Sequence, residues 1–320
     1  MITAKKTPFE QAVGYLAGLK PQFAGLPRYI TDNVCEIRIR TGQTIALEMA
    51  GNSGTGGTGT GGTGGSRRVR LGEPVTAEQI HDCVKEFCGY SLHSFEKQFK
   101  EGWITLEGGH RAGFTGTAVL RGGEVENLRD LSSLNLRIAR QYIGCAEELY
   151  AMMSGGDSRS KPDGRELTGL LVIGRPMSGK TTVLRDLCRL TSARRKVALI
   201  DERSEIAAVH NGVPALDVGE NTDILNGFPK AGGIMTALRS LSPEYVICDE
   251  IGWEVAELTA VAHSGVKMII AAHGGSLKDA YSSARIGGLL ESGGISHIAL
   301  LGHGKNIGKV EFYGTNKGLP

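Results

Sequence analysis

Hydrophobic positions follow two different rhythms along the chain. From Thr168 onward, short unbroken apolar runs ("GLLVI", "KVALI", "YVICDE", "VKMIIAA") alternate with stretches of helical spacing ("KTTVLRDLCRLT", "GIMTALRSL", "EVAELTAVAHSG", "LKDAYSSARIGGLL"). Strands that are apolar on both faces and separated by helices predict a parallel sheet covered on both sides. "KVEFYG" near the C-terminus reads as a last edge strand. Upstream the pattern is mixed. "TAEQIHDCVKEFCGYSLHSF" carries a Thr cap followed by apolar residues at helical spacing, which predicts a helix. "GWITLEGGH", "RAGFTGTAVL" and "SLNLRIARQ" predict the strands and hairpins of a small α+β domain, with "CAEELYAMM" as a helix leading out of it. The polar stretch "SGGDSRSKPDGREL" predicts a linker, so the expected division is 1–152, a linker at 153–167, and 168–320.

One segment fits neither rhythm. Residues 51–66 are almost wholly glycine, threonine and serine and bury too little to offset their chain entropy, which predicts a flexible loop between two strands. Arg67, Arg68 and Arg70 follow it, a feature compatible with nucleic acid, although an expanded hairpin tip accounts for it as well.

The chemistry sits where apolar runs end. "GRPMSGKTT", comprising Gly174, Arg175, Pro176, Met177, Ser178, Gly179, Lys180, Thr181 and Thr182, follows a strand and opens a helix, and it fits the phosphate-loop pattern G-x-x-x-x-G-K-[ST]. In that pattern backbone N–H groups face phosphate oxygens, Lys180 reaches the β- and γ-phosphates, and the Thr181 hydroxyl holds Mg²⁺. "YVICDEIG" ends a strand in two carboxylates. Asp249 is expected to hold Mg²⁺ through water, and Glu250 to orient or deprotonate an attacking water. "VALIDERSEIAA" ends another strand in Asp201, Glu202 and Glu205, with Arg203 among them, and "MIIAAHGGS" ends a fourth in His273, a candidate γ-phosphate sensor. Strand ends of one parallel sheet share a rim, so these residues are expected to meet. ATP and Mg²⁺ are the expected ligands. A GTPase would need N-K-x-D, but "TNKGLP" has Leu319 where Asp belongs.

Composition narrows the reading further. A chain of 320 residues with a formal net charge of +2 has room for two cores and no charge excess that demands nucleic acid. Its six cysteines form no C-x-x-C, which predicts reduced core residues of a cytosolic protein. The N-terminus lacks the apolar run of a signal peptide, and no stretch approaches the roughly 18 apolar residues of a membrane span, so any membrane contact is expected to be peripheral.

The order "GRPMSGKTT", "LIDERSEIA", "VICDEIG", "AAHGGS" resembles the secretion ATPase superfamily in its phosphate loop, acidic box, Walker B strand and histidine box. Within it, "CEIRIRTGQ", "GWITLEGGHRAGFTGTAV", "LSSLNLRIAR" and "SLSPEYVICDEIG" are similar to the sporulation stage III AA family over nearly the whole chain. The resemblance implies a RecA-like P-loop core after a smaller α+β domain. It also implies a hexameric ATPase in the mother-cell cytoplasm, peripheral to the outer forespore membrane, that energises a channel formed with integral membrane proteins of the same operon. The acidic box carries over as Asp201, Glu202 and Glu205 and the histidine box as His273, beside Glu250 as the expected base. Arginines of the small domain reach the nucleotide in that superfamily, and Arg111, Arg137 and Arg140 are the candidates here. Gly252 stands where an Arg often follows the Walker B acids. A P-loop ATPase acting on nucleic acid, or a nucleotide-dependent regulator, is the alternative.

Overall fold

The computed structural model describes residues 6–49, 68–89, 102–154, 168–250 and 252–315, without 253, 254, 283 and 292. The Gly/Thr-rich segment at 51–66 and residues 155–167 of the expected linker lie outside the described residues. The chain divides into two compact units, Met1–Arg140 with His210–Ala215, and Gln141–Val209 with Leu216–Pro320.

The first unit is α+β. Its strands are β1 (Val34–Arg40), β2 (Ile45–Met49), β3 (Arg68–Leu71), β4 (Trp103–Thr105), β5 (Arg111–Arg121) and β6 (Glu124–Arg137), in one antiparallel sheet of order β3-β2-β1-β6-β5-β4. Helices α1 (Pro8–Gly14), α2 (Arg28–Thr31) and α3 (Ala77–Phe87) accompany it. Helix α3 shows why these residues fold locally. Thr76 and Gln79 form a reciprocal capping box that satisfies two N–H groups at the helix start. Ile80, Cys83, Val84 and Phe87 then recur at helical spacing and are all buried in the same core as Ile37, Ile39, Leu134 and Leu136 of the sheet.

The second unit carries helices α4 (Glu147–Met153), α5 (Lys180–Ser192), α6 (Lys230–Ser240), α7 (Val255–His263), α8 (Leu277–Ser282) and α9 (Ala284–Glu291). Its strands are β7 (Leu170–Gly174), β8 (Val197–Asp201), the short β9 (Val209–His210) and β10 (Val213–Pro214), β11 (Thr222–Asn226), β12 (Tyr245–Cys248), β13 (Lys267–His273), β14 (His297–Leu301) and β15 (Val310–Thr315). The main sheet has the order β11-β8-β12-β13-β7-β14-β15, parallel except for the last pair. The unbroken apolar runs are split by parity. Leu170, Val172, Val197 and Leu199 face a core shared with α4 and α5, while Leu171, Ile173, Ala198 and Ile200 face one shared with α6, α7 and α9.

The boundary differs from the expected one. Ala146, Leu149, Tyr150 and Met153 join the core of the second unit, and the Ala146 N–H donates to Asp186 Oδ2 of α5 at 2.8 Å. Helix α4, expected to close the first domain, therefore belongs to the second, and the division falls after Arg140 instead of at 152. Apolar spacing marks a buried face but does not say which sheet buries it.

Candidate active site

The sheet order sets the geometry of the site. Strand β13 lies between β7 and β12, with His273 in register with Gly174. The phosphate loop, His273, the Asp249–Glu250 pair after β12 and the acidic segment after β8 thus stand along one rim, where ligands of open parallel sheets bind.

Backbone conformation shapes the phosphate loop. A Cβ on Gly174 would stand 2.2 Å from Ser178 Oγ, so any side chain there would force Ser178 to move. Met177 and Gly179 adopt positive φ, 63° and 91°, and the Ser178 N–H closes a turn on the Arg175 carbonyl at 3.1 Å. Arg175, Pro176 and Met177 form the exposed tip, with Met177 91% exposed. Helix α5 starts at Lys180, and Thr181 and Thr182 lie in its first turn, where N–H groups lack intrahelical partners and suit an anion.

Lys180 is folded into its own loop. Its Nζ donates to the carbonyls of Gly174 at 3.0 Å and Arg175 at 3.1 Å, and to His273 Nδ1 at 3.2 Å. Burial pulls its ammonium pKa down, against the charges of Glu250 and Asp249. An ammonium can only donate, so Nδ1 of His273 accepts and the ring proton sits on Nε2, which lies 2.5 Å from Glu250 Oε1 and donates to it. His273 therefore bridges the phosphate-loop lysine and the second strand-end acid. Next to this bridge, Thr181 Oγ1 donates to Asp249 Oδ2 at 3.1 Å, and Asp249 Oδ1 accepts the Glu250 N–H at 2.9 Å.

The acidic segment divides into an organiser and two cleft residues. Asp201 is 2% exposed and accepts N–H groups from Glu205, Ile206 and Ala207 at 2.8–3.1 Å. Burial pushes its carboxyl pKa up, and the three N–H bonds oppose that. Arg185 of α5, also buried, donates to the carbonyls of Glu205 and Ile206. Asp201 and Arg185 together fix the loop backbone, while Glu202 and Glu205 line a small cleft with Arg203, Lys230, Asp249 and Glu250. Lys230 Nζ donates to the Glu250 carbonyl and lies 3.9 Å from Glu202 Oε2. Sequence reasoning missed Arg185 and Lys230. Arg185 had one signal, its place one helical turn after Thr181, and Lys230 had none beyond following Pro229 at a helix start.

The three arginines lie in the first unit, in unlike surroundings. Arg140 donates to the carbonyls of Thr31, Asp32 and Val34, where it caps the end of α2. A guanidinium spent this way does not suit the expected reach towards a nucleotide. Arg111 stacks on Trp103 at 4.2 Å. Arg137 is 73% exposed, with a long 3.8 Å pairing to Glu36.

Comparison with known proteins bears on the fold and the family. The likeness to the ATPase DotB of Legionella pneumophila, with a TM-score of 0.50 over 93% of this chain and 76% of that one at 15% identity, is one of fold. Protein SEEDLING PLASTID DEVELOPMENT 1 of Arabidopsis thaliana is 30% identical over 173 residues, which is 52% of this chain and 23% of that protein. Stage III sporulation protein AA of Bacillus subtilis (strain 168) is 37% identical over 256 residues, covering 76% of this chain and 80% of that protein. The profile described as "Sporulation stage III, protein AA" matches residues 28–319, well beyond the phosphate loop and its rim. A match of that extent, taking in most of the first unit and nearly all of the second, makes the chain a member of the sporulation stage III protein AA family.

Proposed function

We propose that the chain is a Mg²⁺-dependent ATPase of the secretion-motor type that energises a membrane-associated transport complex during endospore formation. The observation that carries this reading is the convergence of Lys180, Thr181, Asp249, Glu250 and His273 on one rim, with the two acids in different environments. Thr181 and Asp249 offer paired oxygen donors 3.1 Å apart, the ligand type a hard dication takes, so they are the residues that would hold Mg²⁺. When bound, the ion supplies charge neutralisation on the phosphates. Lys180 leaves its own carbonyls to meet phosphate oxygens. Glu250, held by the Nε2–H of His273, orients a water and accepts its proton as the water oxygen bonds to the γ-phosphorus and the bond to ADP breaks.

Family membership supports an assembly and a location as well. The chain would act as a homo-hexamer in the mother-cell cytoplasm, held at the outer forespore membrane by integral membrane proteins of its operon. Among the described residues no helix is long and apolar enough to cross a membrane. An arginine of the first unit would complete the site by stabilising charge on the transferred phosphoryl, and exposure favours Arg137 for this role. The test is ATP turnover against enzyme concentration, with and without lipid-bound cytoplasmic domains of the partners. The expected result is a cooperative rise. Turnover strictly proportional to concentration and unmoved by the partners would count against the ring motor.

A further inference from the structure

We infer that Lys230 is a positioning residue for Glu250, one that ties the acidic loop after β8 to the acid pair after β12; the inference rests on the hydrolytic reading above.

The starting point is a placement that costs free energy. Lys230 is the first residue of α6, after Pro229, where the helix dipole disfavours a cation. Its side chain is only 15% exposed, so part of the ammonium's hydration is lost as well. Two partners offset these costs. One is the main-chain carbonyl of Glu250, and the other is the carboxylate of Glu202 at 3.9 Å. These partners follow adjacent strands, β8 and β12, so one side chain spans two strand ends.

The root of that side chain is rigid. A Cβ on Gly233 would lie 2.8 Å from Ile200 Cγ2, so the first turn of α6 rides directly on β8. Ile234 and Ala237 of the same helix are buried with Ile200 and Val246. The helix start is therefore held at a fixed height above the strand ends, and Lys230 reaches from it to the Glu250 backbone.

Besides the bond from its own N–H to Asp249, Glu250 has two anchors from other segments. His273 holds its carboxylate, and Lys230 holds its carbonyl. A general base works only from a narrow range of positions, and a misplacement of about 1 Å can cost on the order of 10²-fold in rate. Without Lys230 the anchor on the Glu250 carbonyl is gone, and the N–H bond to Asp249 Oδ1 is left to hold that backbone. The Glu202 charge also loses its cation in a cleft that already holds Asp249 and Glu250. Lys230 acts through Glu250; the bonds it makes are to protein, not to a reacting atom.

The experiment uses the full chain. Lys230→Met is expected to lower kcat roughly 10- to 100-fold while fluorescent-ATP affinity changes less than about twofold. Lys230→Arg, which keeps a donor and a charge, should recover most of the turnover. Hydrogen exchange of the segment spanning 245–252 reads the anchor without needing turnover and should rise in Lys230→Met and not in Lys230→Arg. Unchanged kcat and exchange in the Met variant overturn the proposal, as does a loss confined to nucleotide affinity. If the unmutated chain turns over no ATP, the hydrolytic reading falls, and the exchange data still decide whether Lys230 anchors the Glu250 backbone. If Lys230→Met does not fold, Lys230→Gln takes its place with the same expectations.

Discussion

Thr181 Oγ1 donates to Asp249 Oδ2 across 3.1 Å, which joins the first turn of the phosphate-loop helix to the end of β12. Both groups are oxygen donors, and each has the other as its partner here. A dication held by both would take the place of the hydrogen bond that now joins the hydroxyl to the carboxylate. The division of labour between the adjacent acids follows from this pairing, because Asp249 faces Thr181 while Glu250 faces His273.

Asp249→Asn keeps the hydrogen-bonding shape and removes the charge. It should weaken Mg²⁺-dependent ATP binding strongly and leave metal-free nucleotide binding close to that of the unmutated chain. Titrations with and without Mg²⁺ check this. Equal losses under both conditions would mean that Asp249 serves the loop and not the ion.

Glu250→Gln should bind MgATP about as well as the unmutated chain and hydrolyse it roughly 10²–10⁴-fold more slowly, the usual range for a lost general base. His273→Ala should fall between the two, since it frees the Glu250 carboxylate and removes an acceptor from Lys180. Lys180→Ala should abolish turnover while the fold survives. Single-turnover kinetics separate chemistry from binding in each case. Turnover by Lys180→Ala at the rate of the unmutated chain would remove the phosphate-loop assignment.

The rim was legible because its signals are local. "GRPMSGKTT" is a fixed spacing, and each acid or histidine ends an apolar run whose length and flanks mark a strand. The unbroken apolar runs "LLVIG" and "VALID" also made the parallel sheet readable, because a strand buried on both faces needs apolar residues of both parities. Strand β11 was not readable. "TDILN" has one buried residue on an edge strand, so its pattern is that of a loop, and the hydrogen bonds of β8 recruit it. The structural use of Asp201 was hidden as well, because three N–H groups converging on one carboxylate depend on a turn and not on residue type. The partners of Arg140 were hidden for a similar reason, since they lie about a hundred residues away in sequence.

The first unit carries a pH sensitivity of its own. His110 is fully buried, its Nδ1 accepts the Ala139 N–H at 3.1 Å, and burial pushes its pKa down from 6.5 to about 4. A depressed pKa in the folded state means that the unfolded chain binds the proton first. The contribution is therefore complete above about pH 6.5 and is lost progressively as pH falls towards 4. Linkage gives a loss of about 2 kcal/mol between pH 7 and pH 5 from this group alone. Urea unfolding followed by Trp103 fluorescence in a Trp253→Phe background checks it. In His110→Gln the pH 7 to pH 5 difference should shrink by about that amount; an unchanged difference would rule out His110 as its source.

Arg137 and Arg140 stand three residues apart and should behave oppositely. Arg140 gives hydrogen bonds to three carbonyls around the end of α2, so Arg140→Ala leaves those carbonyls without their donor. The expected cost is about 2–4 kcal/mol of stability in the first unit, since hydrogen bonds to charged groups contribute about 1.5–3 kcal/mol each and are not additive. Arg137 is mostly exposed, and its 3.8 Å pairing to Glu36 should contribute little to stability. Arg137→Ala should leave the urea midpoint nearly unchanged and lower ATP turnover, by up to the roughly 10³–10⁵-fold that an arginine finger can supply, while MgATP binding persists. A finger supplied across a subunit boundary adds a further consequence. Mixing Arg137→Ala with Lys180→Ala should restore part of the activity, because some interfaces then pair an intact phosphate loop with an intact arginine. No recovery at any ratio, with subunit exchange demonstrated by fluorescence transfer, would exclude the shared site. A stability loss in Arg137→Ala equal to that in Arg140→Ala would make both residues structural.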